Sequence, residues 1–224
     1  MMDRQVSQVA RLIDDLLDIN RLSRGKIELH PESLDLADVV NQAVEAAHAA
    51  YEHMNHELTV TLPSKPIRLS GDPARLVQVI GNLLNNACKF TDRGGRVRVI
   101  VERDGDRAVV RIADNGIGIA TANFGRIFEM FTQLDTALDR PRGGGLGIGL
   151  TLVKDLAEMH GGSIEVHSEG QGREASLSCA CQPWPTCRSS RNRYLCKPQP
   201  RSSTGSWSSM TTSTSPIPCQ HSCN

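Results

Sequence analysis

Residues 114–119 read Asp-Asn-Gly-Ile-Gly-Ile and follow the run Val109-Val110-Arg111-Ile112-Ala113. The β-branched run predicts a strand, and an acid stands where it ends. Gly116 and Gly118 then strip side chains from the next few residues. Alone, such a stretch fits a plain turn or a calcium loop about as well as a ligand site. The carboxylate offers a more specific use. Ionised, Asp114 only accepts hydrogen bonds. At the closed end of a pocket it suits the exocyclic amine of adenine, with bare glycine backbone lying against the flat base.

Upstream, residues 72–90 predict a helix, with Asp72 as N-cap and Pro73 at the first helical position. At roughly 100° per residue, Asn82, Asn86 and Lys89 share one stripe. Leu76, Ile80, Leu83, Leu84 and Ala87 fall on the opposite side and predict a core face. Asparagine is a poor helix former, yet Asn82, Asn85 and Asn86 crowd one turn. A merely solvated face would use Glu, Lys and Gln. A local rule broken in this way points to a site. Amide oxygens are hard ligands suited to magnesium, which keeps waters and bridges substrate phosphates. Lys89, one turn on, would neutralise a phosphate.

Downstream, Gly143, Gly144, Gly145, Gly147 and Gly149 precede an amphipathic stretch running to His160. Bare amides at a helix N-terminus favour anions. No Lys-Ser or Lys-Thr follows, so this is not a Walker loop. No strand immediately precedes it, so it is not a dinucleotide fingerprint either. The regular helix that follows argues against a plain glycine linker.

Around these pieces the periodicity switches between helix and strand. Residues 4–24 predict an amphipathic helix whose Val9, Leu12, Leu16 and Ile19 form a short coiled-coil-like seam. So short a helix needs a partner, and a dimeric bundle supplies one. Residues 25–29 predict a short strand, Pro31 a break, and Asp35 the N-cap of a helix over 37–53. Strands follow at 56–63 and 67–71. A hairpin turning at Asp104-Gly105-Asp106 joins 96–104 to 108–115. Residues 124–131 predict a short helical piece, and 162–170 a strand. Hairpins mixed with helices predict an α+β fold with helices on one face of a mixed sheet.

Bulk properties narrow the class. The chain has 224 residues, 25 basic and 25 acidic, for a formal net charge of zero. That balance argues against a broad basic face for nucleic acid. No run approaches the ~18 apolar residues of a membrane span, and the polar N-terminus lacks a secretion signal's apolar stretch. The sequence reads as cytoplasmic. Of seven cysteines only Cys88 precedes residue 179, and no pair has CxxC spacing. From about residue 173 Ser, Thr, Pro, Arg and Cys dominate and periodicity is lost, which predicts disorder.

Four segments in order, "NLLNNACKFT" (82–91), "DNGIGI" (114–119), "RIFEMF" (126–131) and "GGGLGIGL" (143–150), resemble the N, G1, F and G2 boxes of sensor histidine kinases. Residues 11–29 are similar to the second helix of the kinases' dimerisation and phosphotransfer domain. The resemblance implies a two-layer α/β sandwich shared with gyrase and the ninety-kilodalton heat-shock chaperone, preceded by one helix from a dimeric bundle. It implies domains at 1–28 (bundle helix), 29–172 (ATP-binding catalytic domain) and 173–224 (aberrant tail). It implies ATP and Mg2+ as cofactors, with Asn86 on the metal and Asn82 on the phosphate side. Lys89 would contact phosphate and Phe90 would flank the base. Asp114 would bind the adenine amine beside Gly116, Gly118 and Ile119. Phe128 and Phe131 would anchor a lid over about 132–145. Gly145, Leu146, Gly147, Gly149 and Leu150 would close that lid on the triphosphate.

The implied partners are the phosphotransfer helices, a response-regulator receiver domain and a second copy in a homodimer. No nucleic acid and no membrane segment are expected. The departures are equally informative. None of the seven histidines sits in a phosphoacceptor context, so autophosphorylation on this chain is not expected. The family's last strand, of the form F-x-V-x-L-P, is replaced by "EASLSCACQP". Permitted codons for 173–182, read from their third bases, restore Gly-Ser-Glu-Phe-Val-Val-Arg-Leu-Pro. The same shift over 206–215 yields an opening strand and acidic pair like a receiver domain's. A frameshifted fragment of a hybrid kinase is the resulting expectation, with 174–181 holding a sheet edge poorly. Two alternatives stay open: a stand-alone ATPase of the same fold, and a non-catalytic nucleotide-binding dimerisation module. The first needs an acidic general base near Asn82, and positions 78–86 hold none.

Overall fold

The computed structural model describes residues 17, 18, 27–133, 146–168, 170 and 174–181. Strand β1 (Glu32–Asp35) runs straight into helix α1 (Leu36–Met54). The Asp35 carboxylate accepts the Ala37 N–H at 3.1 Å and so satisfies one orphan donor of the first turn. Leu36, Val39, Val40, Ala43, Ala47 and Tyr51 recur at helical spacing and form its buried stripe. Asn55, left-handed at φ 56°, ends the helix. After β2 (Glu57–Thr61) and β3 (Arg68–Gly71) comes α2 (Pro73–Phe90). Its cap is the one expected: Asp72 accepts the Arg75 N–H at 3.2 Å, and Pro73 stands in the first turn. The buried stripe of α2 contains all five predicted residues plus Val79 and Cys88.

Strands β4 (Arg96–Asp104) and β5 (Arg107–Asp114) form the expected hairpin. Two 3-10 turns, Thr121–Asn123 and Arg126–Phe128, replace the single helical piece expected over 124–131. Helix α3 (Gly149–Met159), β6 (Ser163–Ser168) and β7 (Ala175–Cys181) complete the described elements.

The main sheet has the order β2-β4-β5-β7-β6, with β2 parallel to β4 and the other pairs antiparallel. β1 and β3 pair separately as a two-stranded antiparallel ribbon. Val97, Val99 and Val101 of β4 and Ala108, Val110 and Ile112 of β5 point to one side, into a core shared with α1, α2 and α3. The opposite face carries exposed charge, including Arg98 paired with Glu174 at 2.6 Å and Arg111 with Glu102 at 3.1 Å. One apolar face and one wet face make the two-layer α/β sandwich.

Two expectations need correction. The strand expected at 25–29, before Pro31, lies after it at Glu32–Asp35. Its partner is β3, and pairing of Leu34 with Leu69 sets the register that the local pattern could not. Residues 174–181 do not hold an edge. β7 lies inside the sheet, bonded to β5 along one side and β6 along the other. Pairing on both sides decides this, and Ala175, Cys179 and Cys181 are buried.

The helix expected over 4–24 lies outside the described residues except for Leu17 and Asp18, which are helical. Asp18 is 7% exposed, and its carboxylate accepts from Arg75 Nη1 at 2.7 Å and Gln78 Nε2 at 2.8 Å. That ties Asp18 to the first turns of α2. The tail beyond Cys181 lies outside the described residues. Among the described residues no helix is long and apolar enough to cross a membrane.

Candidate functional site

The last turn of α2 meets the G1 turn at the end of β5 through a backbone contact. The Ile117 N–H donates to the Phe90 carbonyl at 3.1 Å. A Cβ on Gly116 would lie 2.3 Å from that same oxygen. Only glycine permits this approach, so Gly116 joins the last turn of α2 to the G1 turn. Gly118 meets a different demand, a left-handed backbone at φ 67°. Asn115 pins the other side of the turn, its Oδ1 accepting the Arg96 N–H at 2.7 Å.

Asp114 stands at the centre of this junction. Its Oδ1 accepts the Gly116 N–H at 3.0 Å. Burial pushes its carboxyl above the usual range. The Gly116 bond and the facing Thr91 hydroxyl pull it back, and the Glu174 carboxylate pushes it up again. A half-buried carboxylate with spare lone pairs suits a donor supplied by a ligand.

Asn82, Asn86, Lys89 and Phe90 are all half-buried on α2. The Asn82 Nδ2 is buried with no hydrogen-bond partner. Such donors are seldom left unpaired, which makes it an amide waiting for an acceptor. Burial lowers the Lys89 pKa, and its Nζ lies 5.0 Å from the Phe90 ring centroid. That cation–π contact steadies an ammonium that has lost part of its water. Among the described residues no three His, Cys, Asp or Glu side chains converge on a metal site. The donor set therefore fits magnesium only as a metal carried by substrate phosphates, with an amide oxygen such as that of Asn86 completing its shell.

The G2 segment closes the opposite side. A Cβ on Gly149 would lie 3.9 Å from Asn82 Cγ, which sets the N-terminus of α3 against the polar face of α2. Gly147, at φ 69°, faces Thr132 so closely that a Cβ would meet its carbonyl at 2.6 Å. The Gly147 carbonyl accepts the Phe131 N–H at 3.0 Å, and Thr151 Oγ1 donates to the Phe128 carbonyl at 3.0 Å. The F and G2 segments are thus stitched together at the base of the expected lid. Leu146 is exposed, Leu150 half-buried, and Phe131 exposed with φ 62°. Gly145 and the lid residues 134–145 lie outside the described residues. The Ile119 N–H donates to Ser168 Oγ at 3.1 Å.

The expected site residues that are described therefore surround one region. Sequence reasoning missed Thr91, Thr151, Ser168 and Glu174 as its supports. Thr91 alone had a signal, as the last residue of the quoted N segment. The others come from α3, β6 and the β6–β7 connection, whose positions only the fold reveals.

Comparison with known proteins agrees with this geometry. Residues 71–182 match the profile of the histidine kinase-, DNA gyrase B-, and HSP90-like ATPases. The chain is 38% identical over 164 residues to the circadian input-output histidine kinase CikA of Synechococcus elongatus, covering 72% of this chain and 22% of that kinase. It is similar in structure to the mycobacterial sensor histidine kinase MprB, with TM-score 0.60, 27% identity, and coverage of 70% of this chain and 100% of that one. Full-length ShkA in complex with AMPPNP gives TM-score 0.68 and 30% identity over 78% of this chain and 35% of that one. The chain spans between 20% and 28% of the length of three of the curated relatives it matches. Half of the chain falls within the family profile, and the four segments meet around one polar helix face. The chain belongs to the histidine kinase-, DNA gyrase B- and HSP90-like ATPase family.

Proposed function

We propose that this chain is the ATP-binding catalytic part of a sensor histidine kinase. It would bind Mg-ATP and pass the γ-phosphoryl group to a histidine on a separate segment. The observation that carries the reading is the pairing of a half-buried Asp114 carboxylate with an orphaned Asn82 amide across one junction. One end accepts a base amine and the other awaits a phosphate oxygen. Bound nucleotide with its metal supplies an activated phosphoanhydride. The chain's own residues bind and orient it. Asp114 takes the exocyclic amine, with Phe90 flanking the base and Gly116, Gly118 and Ile119 forming its backbone wall. Asn86 would hold the metal, Asn82 and Lys89 the phosphates. Gly145, Leu146, Gly147, Gly149 and Leu150 would close over them, hinged at Phe128 and Phe131.

Transfer would break the bond between the β-bridging oxygen and the γ-phosphorus and form a phosphorus–nitrogen bond on imidazole. ADP leaves, and the imidazole proton passes to solvent. Asp18 supports a bundle-side partner, because this helical residue is held against α2 by Arg75 and Gln78. Dimerisation through that helix, and relay to a response-regulator receiver domain, belong to the same proposal, as does a cytoplasmic setting.

The test supplies the acceptor. Purified chain, labelled Mg-ATP and a phosphotransfer bundle carrying its own histidine are mixed. The expected result is an acid-labile, base-stable label on the bundle, lost with Asp114→Asn and with Asn86→Ala. Hydrolysis to free phosphate without any label on bundles of several kinases would contradict the kinase reading.

A further inference from the structure

Asp114 is the last residue of β5, Ser168 the last of β6 and Ala175 the first of β7. Ala175 pairs with both of the others, so the three stand in register at one end of the sheet. The G1 turn leaves the sheet there. Asn115 and Ile117 pin its middle to Arg96 and Phe90. Its far end returns to the sheet at Ser168, whose Oγ accepts the Ile119 N–H at 3.1 Å. Ser168 is 8% exposed. The same oxygen accepts the Gly170 N–H at 3.3 Å, an ordinary local serine turn. Its proton goes to the Glu174 carbonyl at 3.3 Å or to the Gly170 carbonyl at 3.4 Å. A hydroxyl has two lone pairs and one proton, so this one is fully engaged. An apolar side chain in its place would leave two enclosed amides unpaired, which is costly.

We propose that Ser168 is a positioning residue that sets base specificity: by holding the Ile119 amide it fixes the far wall of the base pocket, so that a purine must present an amine to Asp114. The proposal rests on the nucleotide reading above. An ionised carboxylate only accepts hydrogen bonds. It welcomes the 6-amine of adenine and repels the 6-oxygen of guanine at the same place. That discrimination lasts only while the base is unable to slide away from the carboxylate. Asp114 begins the G1 turn and Ile119 ends it, so the tie to Ser168 holds the wall against which the base would slide. Specificity is a difference between two affinities, and its repulsive half depends on a wall that does not yield.

The experiment measures Mg-ATP and Mg-GTP affinities of the full chain by competition against a fluorescent ATP analogue. Wild type, Ser168→Ala, Ser168→Cys and Val40→Ala are compared, each checked for a cooperative thermal transition. Val40, fully buried in α1, supplies a destabilised control far from the G1 turn in sequence. Wild type is expected to prefer ATP. In Ser168→Ala that preference should fall about tenfold, the scale of one lost hydrogen bond, chiefly through weaker ATP binding. Ser168→Cys is close in shape but a weak acceptor, so it should show the same fall and decides the matter if alanine fails to fold. Val40→Ala should melt at a lower temperature and keep the wild-type ratio. An unchanged ratio in the Ser168 variants, an equal fall in Val40→Ala, or no preference in wild type would overturn the proposal. Failure of wild type to bind either nucleotide would instead remove the nucleotide reading on which it stands.

Discussion

Asp114 is held in tension. Burial raises its folded-state pKa, so ionisation works against folding. The stability linked to its neutral form is fully present below the unfolded value and is lost as pH rises through the folded one. Once ionised, the carboxylate costs stability. Asp114→Asn should therefore raise the thermal midpoint at pH 7 and lose that advantage below about pH 4, near the unfolded carboxyl's value. The same variant should weaken ATP binding by about 10- to 100-fold, as expected for one charge-assisted hydrogen bond. Calorimetry and thermal melts at several pH values read both. Gly116→Ala should go the other way on stability. The added methyl meets the Phe90 carbonyl at 2.3 Å and Asp114 Oδ1 at 2.7 Å, and backbone does not give easily. A loss on the order of 1–3 kcal/mol is expected by chemical denaturation. Asn82 was legible because asparagines crowd one helical turn, Lys89 because it shares their stripe, and Asp114 because bare glycines follow it at a strand end. Ser168 was not, since a serine at a strand end is ordinary until its hydroxyl is found buried against the Ile119 amide.

Helix stripes and the β4–β5 hairpin could be read locally because spacing of three, four or two residues is written in the chain itself. The capping residues Asp35 and Asp72 were readable for the same reason. Strand order was not. β7 alternates like any half-buried strand, and nothing in its own residues says that it lies between β5 and β6. Its interior position makes a strong prediction. A chain ending at residue 172 should fail to fold cooperatively, because β5 and β6 would both lose a paired neighbour. A chain ending at residue 182 should keep its melting transition and its Mg-ATP affinity. Equal folding of the two truncations would contradict the assigned sheet. The contact from Asp18 to α2 gives a second check. Asp18 is nearly enclosed and Arg75 is partly so. Arg75→Ala should cost on the order of 1–3 kcal/mol, less than the 3–5 typical of fully buried pairs. Restoring stability with a second change, Asp18→Asn, would show coupling in a double-mutant cycle.

In the proposed site the helices would carry the phosphate-side residues and the sheet the base-side acid, so a nucleotide would be held by both layers. Much of this could be read from four short segments in order, and the missing parts were those set by contacts between distant elements. The central claim is that Asn82–Thr91, Asp114–Ile119 and residues 146–150 bind one Mg-nucleotide together. The most direct measurement is the change in backbone amide resonances of the full chain on titration with Mg-ATP. The account predicts saturable shifts concentrated in those three segments, with the outer charged face of the sheet unchanged. Saturating Mg-ATP that leaves all three segments unmoved would contradict it.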